Sequence, residues 1–293
     1  MKGTMKIWGL FILILPIFMC TEKEAALLEE KEFKKEDNTL LIASFNTLRL
    51  GEKEKDYESL AKIISKFDLT GLQEVMNEKG LKKLKGYLEK ISKKEWEYII
   101  SETSTGSEGY REYYAFIYKK EKIQEASKIG FYKEKSENEF MREPYGVYFK
   151  SKKFDFVYVI AHSIFGDEEK QRLIEASNYL DVYNYFFNLT EESDIIIAGD
   201  FNVPANHRAF KGFLKESGTS YLIEPEINPT TISEKGLVSS YDNFFINRSK
   251  TEEFTGTAGV YNFIKNNNYS VVKKYISDHL LIFSEYCIDE DLD

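Results

Sequence analysis

The chain has 293 residues, 42% hydrophobic and 15% aromatic, which is enough apolar mass for one large domain or two smaller ones with a sizeable core. Its 40 Lys and Arg against 49 Asp and Glu leave a formal net charge of −9, which excludes a protein that coats nucleic acid through bulk positive charge. An enzyme that gathers positive charge locally, through a metal ion and a few basic side chains, is compatible with that balance.

Residues 1–20 read as an export signal. Lys2 and Lys6 form a basic start, and Ile7–Met19 is apolar but too short to span a bilayer comfortably. Cys20 at its end resembles the lipidated cysteine of a bacterial lipoprotein signal, although Met19 stands where a small residue is usual. Residues 21–38, dominated by Glu and Lys, read as a charged tether. With Cys20 set aside only Cys287 remains, so an exported form has no internal disulfide to draw on.

The first apolar strand is Leu40–Asn46, ending in an amide. Tyr57–Phe67 has helical spacing, Leu69–Val75 is a short strand with Glu74 near its end, and Lys79–Ser92 is a basic amphipathic helix. Strands follow at Trp96–Ser101 and Tyr113–Lys120, separated by a Ser-, Thr- and Gly-rich loop over Glu102–Tyr110. A turn-rich segment then runs to Arg142, before strands at Tyr145–Lys150 and Phe154–Ser163, the latter carrying His162 at its end. Glu168–Leu189 is the longest helix.

In Asp194–Asn206, DIIIAGDFNVPAN, a buried strand runs into Gly199 and delivers Asp200 and Asn202 at alternate positions, so on one side. That arrangement suits either a cradle for a phosphate and a hard cation or a simple turn cap. Beyond it the spacing is looser until Ser240–Asn247, which starts with Asp242 and Asn243, and Asp278–Tyr286, which opens with Asp278 and His279. Polar groups thus recur at strand ends, as in a layered α/β sandwich whose loops converge on one face.

Taken singly, a lone Glu is a solvent-facing edge residue and a lone His a satisfied core residue. Taken together, Asn46, Glu74, His162, Asp200, Asn202, Asp242, Asp278 and His279 are carboxylates, amides and imidazoles without a Ser-His or Cys-His nucleophile. They suit hydrolysis by activated water. Their oxygens suit Mg²⁺ or Mn²⁺, while two His with several acids are also compatible with Zn²⁺.

QEV at 73–75, GDFN at 199–202, YDN at 241–243 and SDH at 277–279, in that order, resemble the endonuclease/exonuclease/phosphatase superfamily over about residues 39–287. Tyr110-Arg111-Glu112, Arg142-Glu143-Pro144 and His162 make the chain similar to its deoxyribonuclease I branch. The resemblance implies an α+β fold, a four-layered α/β/β/α sandwich of two packed mixed sheets flanked by helices, with 288–293 left as an acidic tail. It implies that Glu112 orients His162 and Asp242 pairs with His279. The two imidazoles would divide acid and base duties, with His162 taken as the acid and His279 as the base or phosphate binder, an order that the sequence does not fix. Glu74, helped by Asn46 and supported by Asp278, would hold Mg²⁺, with Mn²⁺ a possible substitute. Asp200 and Asn202 would orient phosphate or water, and Tyr110, Arg111, Arg142 and Asn202 would contact DNA.

Three departures stand out. Met76 occupies the place of an Arg that reaches into the minor groove, Ser240 lies where a disulfide cysteine is expected, and the calcium loops match poorly, which puts structural Ca²⁺ in doubt. The expectation is an exported, monomeric, Mg²⁺-dependent DNA endonuclease. Its rivals are a sphingomyelinase-like phosphodiesterase of lipid or inositol phosphates and a non-catalytic surface binding protein.

Overall fold

The computed structural model describes residues 37–165 and 169–290. The expected export signal, Cys20, most of the tether and the last three residues of the acidic tail lie outside the described residues. No described helix is long and apolar enough to cross a membrane.

Two sheets form the centre. The first contains, in spatial order, β12 (Phe254–Tyr261), β13 (Leu281–Cys287), β1 (Thr39–Leu50), β2 (Leu69–Val75), β5 (Tyr110–Lys119) and β3 (Trp96–Ile100), with β4 (Thr105–Ser107) paired to the start of β5. The second contains β10 (Ser220–Tyr221), β11 (Asp242–Ile246), β9 (Ile195–Asp200), β8 (Phe154–His162), β7 (Tyr145–Ser151) and β6 (Glu125–Phe131). The β1–β2 and β8–β9 pairs are parallel and their neighbours antiparallel, so both sheets are mixed.

The apolar runs in β1, β8 and β9 are nearly continuous because both of their faces are covered. Alternate residues divide between two cores. Leu40 and Ile42, Phe154 to Ile160 at every second position, Ile196, Ala198 and Phe244 meet between the sheets. Residues of the other parity face helices. Leu41, Ala43 and Phe45 pack with α1 (Tyr57–Ile64), α2 (Glu78–Ser92) and α5 (Tyr269–Tyr275). Val157, Val159, Ile195 and Ile197 pack with α3 (Glu169–Thr190) and α4 (Lys211–Ser217). The result is the four-layered sandwich expected from the sequence.

The helix starts follow from side-chain caps. Asp56 Oδ1 accepts from Ser59 N–H at 3.0 Å to open α1, and Asn77 Oδ1 accepts from Gly80 N–H at 2.9 Å to open α2. Several elements differ from the sequence reading. The 102–110 loop contains β4, and the turn-rich segment contains β6. Beyond Asn206 the chain also forms α4, β12 and α5. The missed strands lie at sheet edges and carry charged or small residues, so they lack apolar alternation, while seven-residue helices are too short to show a period. Asp278 and His279 precede β13 rather than open it. Ile288 is fully buried and its N–H donates to Asn38 O at 2.9 Å, so the packed domain reaches one residue past 287.

Lys55, just before α1, is buried and donates to Ile276 O at 2.8 Å. Burial, aided by Lys53, pushes its ammonium down to about 7 against the pull of Asp278 and Glu74. Below that value the folded state carries the full cost of a buried charge. Between there and the unfolded pKa near 10.5 the folded state sheds its proton first, so stability rises with pH. Lys55→Met is therefore expected to raise stability by about 2 kcal/mol at pH 6, even after orphaning the Ile276 carbonyl, and by almost nothing at pH 10. Urea titrations of both proteins at the two pH values check this.

Candidate active site

The polar groups of the site continue the rows of side chains that form the inter-sheet core. Counting by twos along β8 from Phe154 leads to His162, and along β9 from Ile196 to Asp200. Counting back along β11 from Ile246 leads to Asp242, and along β5 from Tyr118 to Glu112 and Tyr110. On β1 the same row ends at Asn46. Register then joins them: Asp200 lies opposite Asp242 on one side and His162 on the other. The β8–β9 pair can close only because residue 199 is glycine, since a Cβ there would meet Ala161 O at 1.9 Å and its φ is +151°.

Glu74 obeys a different rule. Simple alternation from Leu72 would send it toward the helices, but β2 has a bulge between Leu72 and Val75, and Glu74 sits in the left-handed region with φ +56°. The bulge brings its carboxylate to the amide of Asn46, Nδ2 to Oε1 3.1 Å. The same amide nitrogen lies 3.3 Å from Asp200 Oδ2, and Asn46 Oδ1 accepts from Leu48 N–H at 3.0 Å. Asn46 thus organises two carboxylates.

Two imidazole–carboxylate pairs face each other across Asp200. His162 Nδ1 is 2.9 and 3.0 Å from the two oxygens of Glu112, and His279 Nδ1 is 2.8 Å from Asp242 Oδ2. Their Nε2 atoms lie 3.6 and 3.4 Å from the same Asp200 oxygen. Glu112 also accepts from Glu74 N–H at 3.2 Å, which ties the acid pair to the bulge. Asn202 has a left-handed backbone, φ +51°, and its amide nitrogen donates to Ser163 O at 2.8 Å. His162, His279, Asp200 and Asn202, with Asn46, Glu74 and Asp278, line a cleft of about 360 Å³, and Glu112 and Asp242 stand behind the two imidazoles.

Two basic residues expected at the substrate do other work. Arg111 alternates with Tyr110 and Glu112 on β5, so it projects from the opposite face, where it pins the start of β4 through Ser104 and the Gly106 carbonyl. Arg142 is buried and donates to His162 O and Ser163 O, each at 2.9 Å. It braces the end of β8 and lies 3.8 Å from Glu112. The Tyr110 ring has the guanidiniums of Arg49 and Arg142 at 5.1 and 5.8 Å from its centre. Arg49 thereby puts a cation beside Tyr110 where Met76 has none.

The sequence reading missed four supports. Thr230 sits with its hydroxyl 2.6 Å from Asp242 Oδ2. Ser277, inside the SDH motif, donates to Asn46 O at 2.6 Å and accepts from His279 N–H at 3.0 Å. Tyr114 hydroxyl accepts from His162 N–H at 3.1 Å, a role that its place on the Glu112 row signals. Ser240, in the place of a disulfide cysteine, sets its hydroxyl 2.6 Å from Pro225 O and 2.8 Å from Asn228 O, which fastens that loop by hydrogen bonding.

A model described as the Endonuclease/Exonuclease/phosphatase family matches residues 43–279. The chain belongs to that family. Among curated relatives it is 29% identical to a deoxyribonuclease of Thioalkalivibrio sp. (strain K90mix), over 75% of this chain and 61% of that protein. It therefore spans less than two thirds of that relative's length. It is 25% identical to deoxyribonuclease gamma of Rattus norvegicus over 82% of each chain. Among solved structures, the human Nocturnin catalytic domain superposes with a TM-score of 0.56 at 13% identity, covering 90% of this chain and 98% of that one. A mannosyl-6-phosphatase of Bacteroides thetaiotaomicron does so at 0.54 and 18%, covering 84% and 98%. These structures share the fold.

The electrostatics of the site suit hydrolysis of an ester bond. Burial works against charge on Glu112, but His162 and Arg142 outweigh it and hold the carboxyl below its usual range. Burial and Arg142 oppose a proton on His162, yet Glu112 and Asp200 raise its pKa overall. Burial likewise opposes a proton on His279, and the two carboxylates Asp242 and Asp200 raise it well above the ordinary imidazole value. Each imidazole thus presents Nε2 to the cleft while its carboxylate fixes Nδ1.

Among the described residues Asp200, Asp242 and His279 have ligand atoms within 4.8 Å of one another. Asp242 and His279 are, however, bonded to each other. Glu74, Asp200 and Asp278 line the same cleft and offer only oxygens, the donors a hard cation takes, and Asp278 Oδ1 is buried with no hydrogen-bond partner among the described residues, although these three are not gathered within that distance.

Proposed function

We propose that this chain is an exported, divalent-metal-dependent endonuclease that hydrolyses phosphodiester bonds of DNA by in-line attack of activated water. The observation that carries the reading is the convergence of two carboxylate-held imidazoles on Asp200, with both Nε2 atoms within 3.6 Å of it. Hydrolysis of a diester needs one group to take a proton from water and another to give one to the leaving oxygen. His162 and His279 stand on either side of the place where a phosphate would sit and divide those duties. Glu74 and Asp278, with Asp200, would hold Mg²⁺ or Mn²⁺. A bound cation of that kind neutralises charge on the phosphate and lowers the pKa of water. Asn46 keeps the carboxylates spaced, and Tyr110 with Arg49 offers a ring and a cation to the neighbouring sugar and phosphate.

The names of the Thioalkalivibrio and rat relatives support DNA as the substrate. Export rests on residues 1–20, with Cys20 as a lipid attachment that would fix a monomeric enzyme to the cell envelope. The test is nicking of supercoiled plasmid by the chain from residue 21 onward, with and without Mg²⁺. Nicking is expected with Mg²⁺, abolished by EDTA and restored by excess metal. Asp278→Asn should lower the rate about a hundredfold and raise the Mg²⁺ concentration for half-maximal rate, the pattern of a lost charged ligand. Turnover of sphingomyelin without any nicking would overturn the DNA reading.

A further inference from the structure

Phe165 is a large apolar residue left 68% exposed at the mouth of the catalytic cleft. Its exposure is built into the fold. The chain leading to it is fastened at every step: Ser163 N–H donates to Asp200 O at 2.8 Å, Ser163 Oγ meets Tyr179 hydroxyl at 2.8 Å, and Ile164 N–H donates to buried Glu175 at 2.8 Å. Behind the ring stands Arg172, its guanidinium 5.5 Å from the ring centre and its Nη1 3.4 Å from Asn202 O. Arg172 Nε is buried with no hydrogen-bond partner among the described residues, so the side chain is held against Phe165 and Asn202 with a donor in reserve. The ring is backed by a cation, and among the described residues most of it is open.

Resting on the phosphodiesterase reading, we infer that Phe165 is a stacking platform for the nucleobase next to the scissile phosphate, so that strands with splayed bases are cut in preference to intact duplex. Phe165 lies three residues after His162, and three residues of chain reach at most about 10 Å. The ring therefore serves a nucleotide directly beside the bond being broken. A flat π-face accepts any base, but a base inside a duplex is already stacked on its neighbours and is not available to it. Single strands, frayed ends and mismatches present such bases freely. Insertion of Phe165 into lipid is disfavoured, because the ring would take the Arg172 guanidinium with it into an apolar phase, and Glu169 lines the adjoining groove.

The test compares the native chain with Phe165→Ala and Phe165→Trp on one labelled oligonucleotide, single-stranded or in duplex, with Mg²⁺. Bis(p-nitrophenyl) phosphate, a small diester without bases, is assayed in parallel. The expected result is that Phe165→Ala lowers the single-strand to duplex ratio of kcat/KM about tenfold, the order of one lost base–aromatic stack, and that Phe165→Trp keeps the native ratio. A ratio unchanged in Phe165→Ala, or lowered equally in Phe165→Trp, overturns the inference while leaving the nuclease reading intact. So does loss of binding to phosphatidylcholine vesicles by Phe165→Ala with the ratio unchanged. Failure of the native chain to hydrolyse either DNA or the small diester would instead remove the phosphodiesterase reading, and this inference with it.

Discussion

Alanine in place of His162 or His279 is expected to lower plasmid nicking about a thousandfold, a magnitude typical of losing a positioned general acid or base. Both rings are buried, and each joins a carboxylate on one side to the cleft on the other. Neither ring can substitute for its partner, because the two Nε2 atoms approach the shared Asp200 oxygen from different strands and loops. The double variant should fall little further than either single one, since groups that act on one reaction step are strongly non-additive. Thermal melts of the same proteins separate lost chemistry from lost fold. Near-native nicking by either folded variant would refute the division of proton transfer between them.

The second large effect is expected from Glu112→Gln, a change of one atom type at a fully buried site. An amide can neither fix the His162 tautomer through a charged acceptor nor offset the pull of Arg142, so nicking should drop about a hundredfold or more. The sign of the accompanying pH effect follows from the fields around His162. Burial and Arg142 push its pKa down while Glu112 and Asp200 push it up. Without the Glu112 charge the balance tips downward, and the limb of the pH–rate profile set by His162 moves to lower pH. Asp242→Asn should move the limb set by His279 in the same direction. The limb that moves in each variant reports which imidazole is the acid. Profiles that stay fixed in both variants would mean that the limbs belong to other groups.

Much of the site was legible because the catalytic groups end apolar strands. His162 and Asp200 close buried runs and Asp242 opens one, and a polar side chain at the end of such a run stands out against its surroundings. Glu112 was legible only through its resemblance to a known segment, since the strand that carries it starts three residues earlier than its apolar pattern shows. Arg111 and Arg142 were misjudged because sequence supplies a charge without a direction. Alternation along β5 would have turned Arg111 away from Tyr110, but nothing in a loop announces that Arg142 faces two backbone carbonyls. Thr230 was beyond reach for the same reason, being a loop threonine with no period to place it. A layered sandwich was legible in strands alternating with hairpins and a few helices, while its four layers came only with the family resemblance. The edge strands β6 and β12 escaped notice because edges are made of the residues that turns also use.

The rows that run from the inter-sheet core into the cleft give the site no joint of its own. Asn46, Glu112, His162, Asp200 and Asp242 are the last rungs of the ladders whose lower rungs are Ile42, Phe116, Ile160, Ala198 and Phe244. A register slip of one residue in any of these strands would turn its catalytic group toward the helices. Strand pairing is thus the clock that times the assembly of the site: its rows meet only when both sheets have locked, so a half-paired form of this chain has no partial site to offer.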